Sequence, residues 1–319
     1  MQLVAALNQL YQPLSDALLP LVRGTQRRYL LQNGVHETQR LLAGVNTHFY
    51  AYSDRAPAER STPVLLIHGI ADNALTWGLV LRSLGVIGPV YALDLPGFGL
   101  SGYPAGQRYA SFAQHKAVIE AMIEEVIGAP PLIVGNSLGG WLSARMVIER
   151  PAIAAGLVMI DPGGAYLNGR ESWEAFMSAA LVPDLRSVRS IYKQMFGYRP
   201  MLLYLAQHSF RQTFARDAVR LFMFNSTEED FLLPADLQRL TLPLGLVWGL
   251  ADRFLPAGSL AFFRNALPTA NLLLLPGCGH LPQIERPLHV IRYLRTFARA
   301  LTEPRQPPTS LRSTPSEKW

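Results

Sequence analysis

The stretch Gly135-Asn136-Ser137-Leu138-Gly139-Gly140 constrains this chain more than any other. It follows the apolar run Pro131-Leu132-Ile133-Val134 and opens a segment with helical patterning. A serine with glycine two positions away on either side, set between a strand and a helix, is the pattern of a nucleophile elbow. The turn is so tight that the serine sits in a strained backbone conformation, and its near neighbours must lack bulk. Gly135 and Gly139 meet that requirement. Such a turn lifts the hydroxyl above a sheet edge, where a base and a carbonyl carbon can both reach it.

The rest of the chain supplies a sheet for that turn. Apolar runs at 64–67, 90–94, 132–136, 157–160, 244–248 and 271–275 alternate with helical patterns at 74–84, 111–127, 138–150, 257–266 and 287–301. Upstream, residues 36–53 alternate around Gly44-Val45-Asn46 as two strands joined by a turn. Together these predict an α/β fold with a mostly parallel, eight-stranded sheet flanked by helices on both faces.

One interval breaks the rhythm. About eighty residues separate Asp161 from Leu244, far more than one crossover helix needs. The interval holds helical patterns at 173–181, 188–196 and 210–224 and carries Trp173, Phe176, Met177, Tyr192, Met195, Phe196, Met201, Tyr204, Phe222, Met223 and Phe224. The interval is too long and too apolar for a loop. The expected organisation is a helical extension at 1–35, a core at 36–162 and 241–302, a helical cap (lid) at 163–240 and a disordered tail at 303–319. The tail is rich in proline, serine and charge.

Leu3, Leu7, Leu10, Leu14, Leu18 and Leu21 recur at helical spacing, and Arg23, Arg27 and Arg28 follow. This helix is expected to pack on the main domain, with peripheral membrane contact as the alternative. No basic residue leads it, and Asp16, Pro13 and Pro20 interrupt any signal-peptide core. A cytoplasmic protein is therefore expected, peripherally membrane-associated on the second reading. The net charge of +6 comes from scattered arginines with no basic run interleaved with aromatics, which argues against nucleic acid. The single cysteine, Cys278, excludes an internal disulfide and a cysteine-built zinc site.

A serine hydroxyl needs a base to take its proton as it attacks. His280, in Pro276-Gly277-Cys278-Gly279-His280, leaves the last strand where open α/β sheets build their sites. His36, His48, His115 and His289 fall on strand or helix patterns and read as structural, and His208 reads as a surface or pocket residue. A carboxylate must fix the imidazole tautomer. Asp252 follows the penultimate strand, and Asp161, which ends the strand before the insertion, is the alternative acid. Negative charge that develops on a substrate oxygen needs backbone donors. Those expected are the amides of Leu138 and of Ile70, the latter in His68-Gly69-Ile70-Ala71-Asp72-Asn73. His68 reads as a residue that holds this loop.

Four matches in order, His68-Gly69, the run from Asp94 to Ser101, the elbow at 135–140, and Asp252 with Gly279-His280, resemble the α/β-hydrolase fold superfamily over about residues 36–302. The resemblance implies an active site of Ser137, Asp252 and His280, needing no cofactor and no metal. Haloalkane dehalogenases and epoxide hydrolases resemble the chain but carry aspartate at the elbow. Among serine members the chain is most similar to capped carboxylesterases and monoacylglycerol-lipase-like enzymes. This implies a small ester substrate with an apolar acyl or alcohol part. Hydrolysis of a C–C bond in ring-cleavage products, with Arg199 or Arg211 near a substrate carboxylate, stays open. So do perhydrolase activity and a ligand-binding role without turnover. Oligomeric state is not legible.

Overall fold

The computed structural model describes residues 2–54, 61–167, 169, 174, 184–198 and 206–302, with only the backbone path for 2–14. The strands are β1 (His36–Leu42), β2 (Val45–Tyr52), β3 (Val64–Ile67), β4 (Val90–Leu93), β5 (Leu132–Asn136), β6 (Gly156–Ile160), β7 (Leu244–Gly249) and β8 (Asn271–Leu275). They form one sheet in the order β1-β2-β4-β3-β5-β6-β7-β8. The pairings β1–β2 and β2–β4 are antiparallel, and every other pairing is parallel.

Alternate residues of the central strands feed two separate cores, as the pleat requires. Leu65, Ile67, Ile133, Leu157 and Met159 pack on one face with α3 (Phe112–Ala121) and α4 (Leu138–Glu149). Val64, Leu66, Val134, Val158 and Ile160 pack on the other, under α2 (Leu81–Leu84) and the C-terminal helix 287–302. Both faces are covered, which is why these strands read as unbroken apolar runs rather than alternating ones. The C-terminal helix buries Val290, Ile291, Leu294, Phe297 and Ala298, one stripe at helical spacing. Ser111 starts α3 with a capping box closed by Gln114.

Two expected elements are placed differently. The β1–β2 turn is Ala43-Gly44 alone, at φ 46° and 78°, because Leu42 already pairs with Val45. A two-residue hairpin turn needs positive φ at both central positions, so Val45 belongs to the strand. The helix expected over 74–84 is a 3₁₀ turn, Ala74–Trp77, followed by α2. The Leu75 carbonyl accepts from the Gly78 amide at 2.9 Å and from Gln26 Nε2 at 2.9 Å, which closes the turn early.

Between β6 and β7 the described residues form α5 (Leu185–Met195), α6 (Gln207–Phe214), α7 (Asp217–Asn225) and α8 (Pro234–Leu237). The pattern at 210–224 is thus split at Ala215-Arg216, where Asp217 begins a new helix with an acidic first turn. The pattern at 173–181 lies outside the described residues. So do Met201, Tyr204 and the 303–319 tail. Three helices complete the chain: α9 (Ser259–Ala266), α10 (Pro282–Glu285) and α11 (Pro287–Thr302).

The first helix, α1 (Gln2–Gln32), joins the fold at both ends of its described side chains. The His208 amide donates to Ser15 Oγ at 3.0 Å and Ser209 Oγ to the Ser15 carbonyl at 2.6 Å. Leu30 is buried in the second core, while Leu21, Val22 and Tyr29 are exposed. Among the described residues no helix is long and apolar enough to cross a membrane.

Candidate active site

The elbow explains its own composition. Ser137 has φ 53° and ψ −114°, a left-handed backbone that an L-residue adopts at a cost. A Cβ on Gly135 would lie 2.4 Å from the Gly139 carbonyl carbon, and one on Gly139 would lie 2.3 Å from the Ile67 oxygen. Neither site admits a side chain. The strained turn is held from behind: the Ser137 amide donates to the Ile160 carbonyl at 3.0 Å, and the Ser137 carbonyl accepts from Gly163 at 3.0 Å. Ser137 itself is 6% exposed, at the C-terminal edge of the sheet.

His280 and Asp252 come together from the loops after β8 and β7. His280 Nδ1 lies 2.7 Å from Asp252 Oδ2. Asp252 Oδ1 also accepts from the Phe254 amide at 2.8 Å, and the Phe254 ring packs 4.9 Å from the imidazole. Asp161 Oδ1 accepts from the Gly249 amide at 3.0 Å. Burial, and then the Asp252 charge, push its carboxyl well above the ordinary carboxylate range. Asp161, Asp252 and His280 present ligand-type atoms within 4.8 Å of one another, the one such grouping among the described residues. Two of those atoms, however, are already bonded to each other. Among the described residues Ser137 Oγ and His280 Nε2 make no hydrogen bond.

The expected donor loop lies beside the serine. A Cβ on Gly69 would meet Ser137 Cβ at 3.0 Å, so the backbone of this loop runs directly against the elbow. Neither the Ile70 nor the Leu138 amide donates to an acceptor among the described residues. Leu138 opens α4, where free N–H groups point along the axis. His68 holds the loop. Its Nε2 accepts from the Leu95 amide at 3.0 Å, and its Nδ1 lies 2.7 Å from the Gly69 carbonyl. Asp94 pins the neighbouring turn, accepting from the amides of Ala74 at 2.6 Å and Leu100 at 2.9 Å.

Sequence reading missed the parts that join these loops. Asn136 Nδ2 donates to the His280 carbonyl at 3.1 Å, and its Oδ1 accepts from Gln283 Nε2 at 3.2 Å. The residue before the serine thus ties the base loop to the elbow. The β6–β7 segment is fastened to the same loops through the end of α5. The His280 amide donates to the Met195 carbonyl at 2.6 Å and the Arg253 amide to the Gln194 carbonyl at 2.9 Å. Glu285 accepts from the Gly197 amide at 2.9 Å and the Gly279 amide at 3.0 Å. Burial raises the Glu285 carboxyl above its usual range. Its one sequence signal was its place in the run after His280.

Of the apolar residues expected over the site, Tyr192, Met195, Phe196, Phe222 and Met223 are buried and Phe224 is exposed. Trp173, Phe176, Met177 and Arg199 lie outside the described residues. Phe222 packs 6.4 Å from Phe112 and 6.3 Å from Trp141, joining α7 to the core. His208 is half-buried on α6, and Arg211 lies on the same helix. A cleft of about 320 Å³ opens between α1, the turn at 72–75 and α6, and none of Ser137, Asp252 and His280 borders it.

The sequence profile of the alpha/beta hydrolase family matches residues 64–292. "Lipase 1" of Psychrobacter immobilis is 24% identical over 259 residues, covering 76% of this chain and 78% of its own. A pimeloyl-[acyl-carrier protein] methyl ester esterase of Nitrosospira multiformis is 26% identical over 255 residues, 74% of this chain and 94% of its own. In structure, the chain is similar to a bacterial membrane phospholipase A, with TM-score 0.75, 23% identity, and 95% and 97% of the two chains covered. It is also similar to a 2-hydroxy-6-oxo-6-phenylhexa-2,4-dienoate hydrolase from Rhodococcus sp. strain RHA1, with TM-score 0.67, 24% identity, and 83% and 99% covered. With the profile spanning most of the chain and the eight strands in this order, the protein belongs to the alpha/beta hydrolase family.

Proposed function

We propose that the protein is a serine hydrolase that cleaves carboxylic esters with an apolar acyl or alcohol part. The observation that carries this reading is the pairing of a strained elbow serine with a His280–Asp252 couple tied to the same elbow through Asn136. Ser137 attacks the ester carbon as His280 takes its proton, and the Asp252 carboxylate stabilises the imidazolium that forms. The amides of Ile70 and Leu138 receive the oxyanion. The imidazolium returns the proton to the leaving alcohol, and a water activated by the same ring releases the acyl group. In this reading residues 163–240 form a cap whose α5 end fixes the two reacting loops, and its aromatic residues favour an apolar substrate.

The relatives named as a lipase and a methyl ester esterase support ester chemistry. A chain-length series of p-nitrophenyl esters tests it. Turnover that rises with acyl length and is lost in Ser137→Ala is expected. No turnover at any length by folded protein overturns it, and turnover of a ring-cleavage dienoate exceeding ester turnover would move the assignment to C–C hydrolysis.

A further inference from the structure

Behind the His280–Asp252 couple lies a second carboxyl that the proposed reaction leaves idle. Asp161 is fully buried where β6 ends, at φ 40°, a left-handed conformation that a residue with a side chain adopts under strain. Its amide donates to the Val247 carbonyl at 2.9 Å, so the backbone position is fixed by β7. Its side chain accepts from the Gly249 amide, Oδ1 at 3.0 Å and Oδ2 at 3.3 Å, and one of its oxygens lies within 4.8 Å of a carboxylate oxygen of Asp252.

Two buried carboxylates this close repel when both are ionised, and neither can then donate to the other. One of the pair must carry a proton, and the surrounding donors decide which. Asp252 accepts from Phe254 at 2.8 Å, from Leu255 at 3.4 Å and from His280 Nδ1 at 2.7 Å. Asp161 accepts from one amide and has no contact with water. Both side chains are buried, so the carboxyl with more donors keeps the charge and the other keeps the proton. We infer that Asp161 is a neutral carboxylic acid that donates a hydrogen bond to Asp252 and fixes the orientation in which Asp252 meets His280. This rests on the serine-hydrolase reading above.

The titratable groups around Asp161 agree. Asp252 and His280 face it from the loops after β7 and β8, Glu285 from α10, and the Cys278 thiol from the same β8 loop. Among the described residues no salt bridge joins Asp161 to a lysine or arginine, and Arg286 acts instead on Glu285 and Cys278. Nor does Asp161 serve as the partner of His280: among the described residues no hydrogen bond joins the two. Its place is one step further from the reacting atoms, as a positioning residue. A donor there also tempers the negative charge that Asp252 presents to the imidazole.

The test compares Asp161→Ala with Asp161→Asn in the full chain. Alanine removes the donor, while asparagine replaces the O–H with an N–H and can never ionise. Asp161→Ala is expected to lower kcat about 30-fold with KM within about two-fold, within the range for groups that orient a reacting residue. The acid limb of its kcat/KM profile moves to higher pH, because an untempered Asp252 holds the imidazolium more tightly. Asp161→Asn restores kcat to within about five-fold of the wild type and returns the limb. Infrared difference spectra between wild type and Asp161→Asn at pH 7 should show the carbonyl band of a neutral carboxylic acid in the wild type alone. That reading needs neither turnover nor a folded alanine variant. Absence of the band, or an asparagine variant as impaired as the alanine one, overturns the inference. Failure of the serine-hydrolase reading looks different: Ser137→Ala would keep its turnover while the band persists.

Discussion

Two histidine–aspartate couples of the same length lie on opposite sides of the elbow. His48 Nδ1 is 2.7 Å from Asp94 Oδ2, and His280 Nδ1 is 2.7 Å from Asp252 Oδ2. The first is closed at its far end: His48 Nε2 lies 3.1 Å from Glu37, which pairs with Arg27 of α1 at 2.7 Å. The second is open, because His280 Nε2 has no partner among the described residues. A histidine–carboxylate contact thus says little about chemistry by itself. In the first couple both nitrogens are engaged, and the ring rivets α1, β1, β2 and the Asp94 turn together. The second leaves one nitrogen without a partner among the described residues, on a loop tied to the elbow through Asn136.

The sharpest way to break this contrast is to remove each ring. His280→Ala is expected to lower kcat/KM for a p-nitrophenyl ester by at least about 10,000-fold, measured per folded molecule. His48→Ala should act on stability alone. Loss of a buried partner costs about 3 kcal/mol in urea unfolding, with turnover per folded molecule largely kept.

The aspartates extend the comparison. Asp252→Asn should cost about 1000-fold or more in kcat, because the amide favours the wrong imidazole tautomer. Asp94→Asn should act on stability, and with a defined pH dependence. Burial alone would raise the Asp94 carboxyl, but the His48 hydrogen bond, the nearby His68 and the amides of Ala74 and Leu100 outweigh it and hold it below the usual range. A depressed acid contributes stability above its unfolded value, near 4, and loses it as pH falls through the lower folded value. Wild-type unfolding free energy should therefore fall in that acid window more steeply than that of Asp94→Asn.

A third histidine, with neither nitrogen bonded, supplies the smallest effect at neutral pH. His115 is fully buried on α3, and its ring lies 6.1 Å from Phe98 and 5.3 Å from Phe222. Burial, aided by His68, pushes its pKa down to about 3. The unfolded chain therefore binds a proton that the folded one refuses between pH 6.5 and about 3. Stability is full above 6.5 and falls as pH drops through that window, by on the order of 5 kcal/mol at its lower end. Urea titrations of wild type and His115→Leu at pH 4 and pH 8 should coincide more closely at pH 8, with the variant the more stable at pH 4.

Local sequence carried most of the frame and pointed to the residues proposed to react. The apolar runs at 64–67 and 132–136 are strands with those same bounds, because a strand covered on both faces writes itself as an unbroken apolar run. The elbow was legible because its glycines answer a local steric demand. What joins the loops was not legible. Asn136 and His280 are 144 residues apart, and nothing periodic marks an amide side chain aimed at a distant carbonyl. The role of His48 was only half legible. Its strand position read as structural, while the carboxylates on either side of it come from β1 and from the turn after β4. The end of the 74–84 helix depends on Gln26 of α1, a contact no window around Gly78 contains.

The central claim is that the open couple, and not the closed one, makes the elbow serine reactive. The most direct measurement is the rate of labelling by a fluorophosphonate, with the modified residue located by mass spectrometry, in wild type, His280→Ala and His48→Ala. The account predicts a single adduct on Ser137, formed at a similar rate in wild type and folded His48→Ala and abolished in His280→Ala. An adduct on another residue, or Ser137 labelled at the wild-type rate without His280, would contradict it.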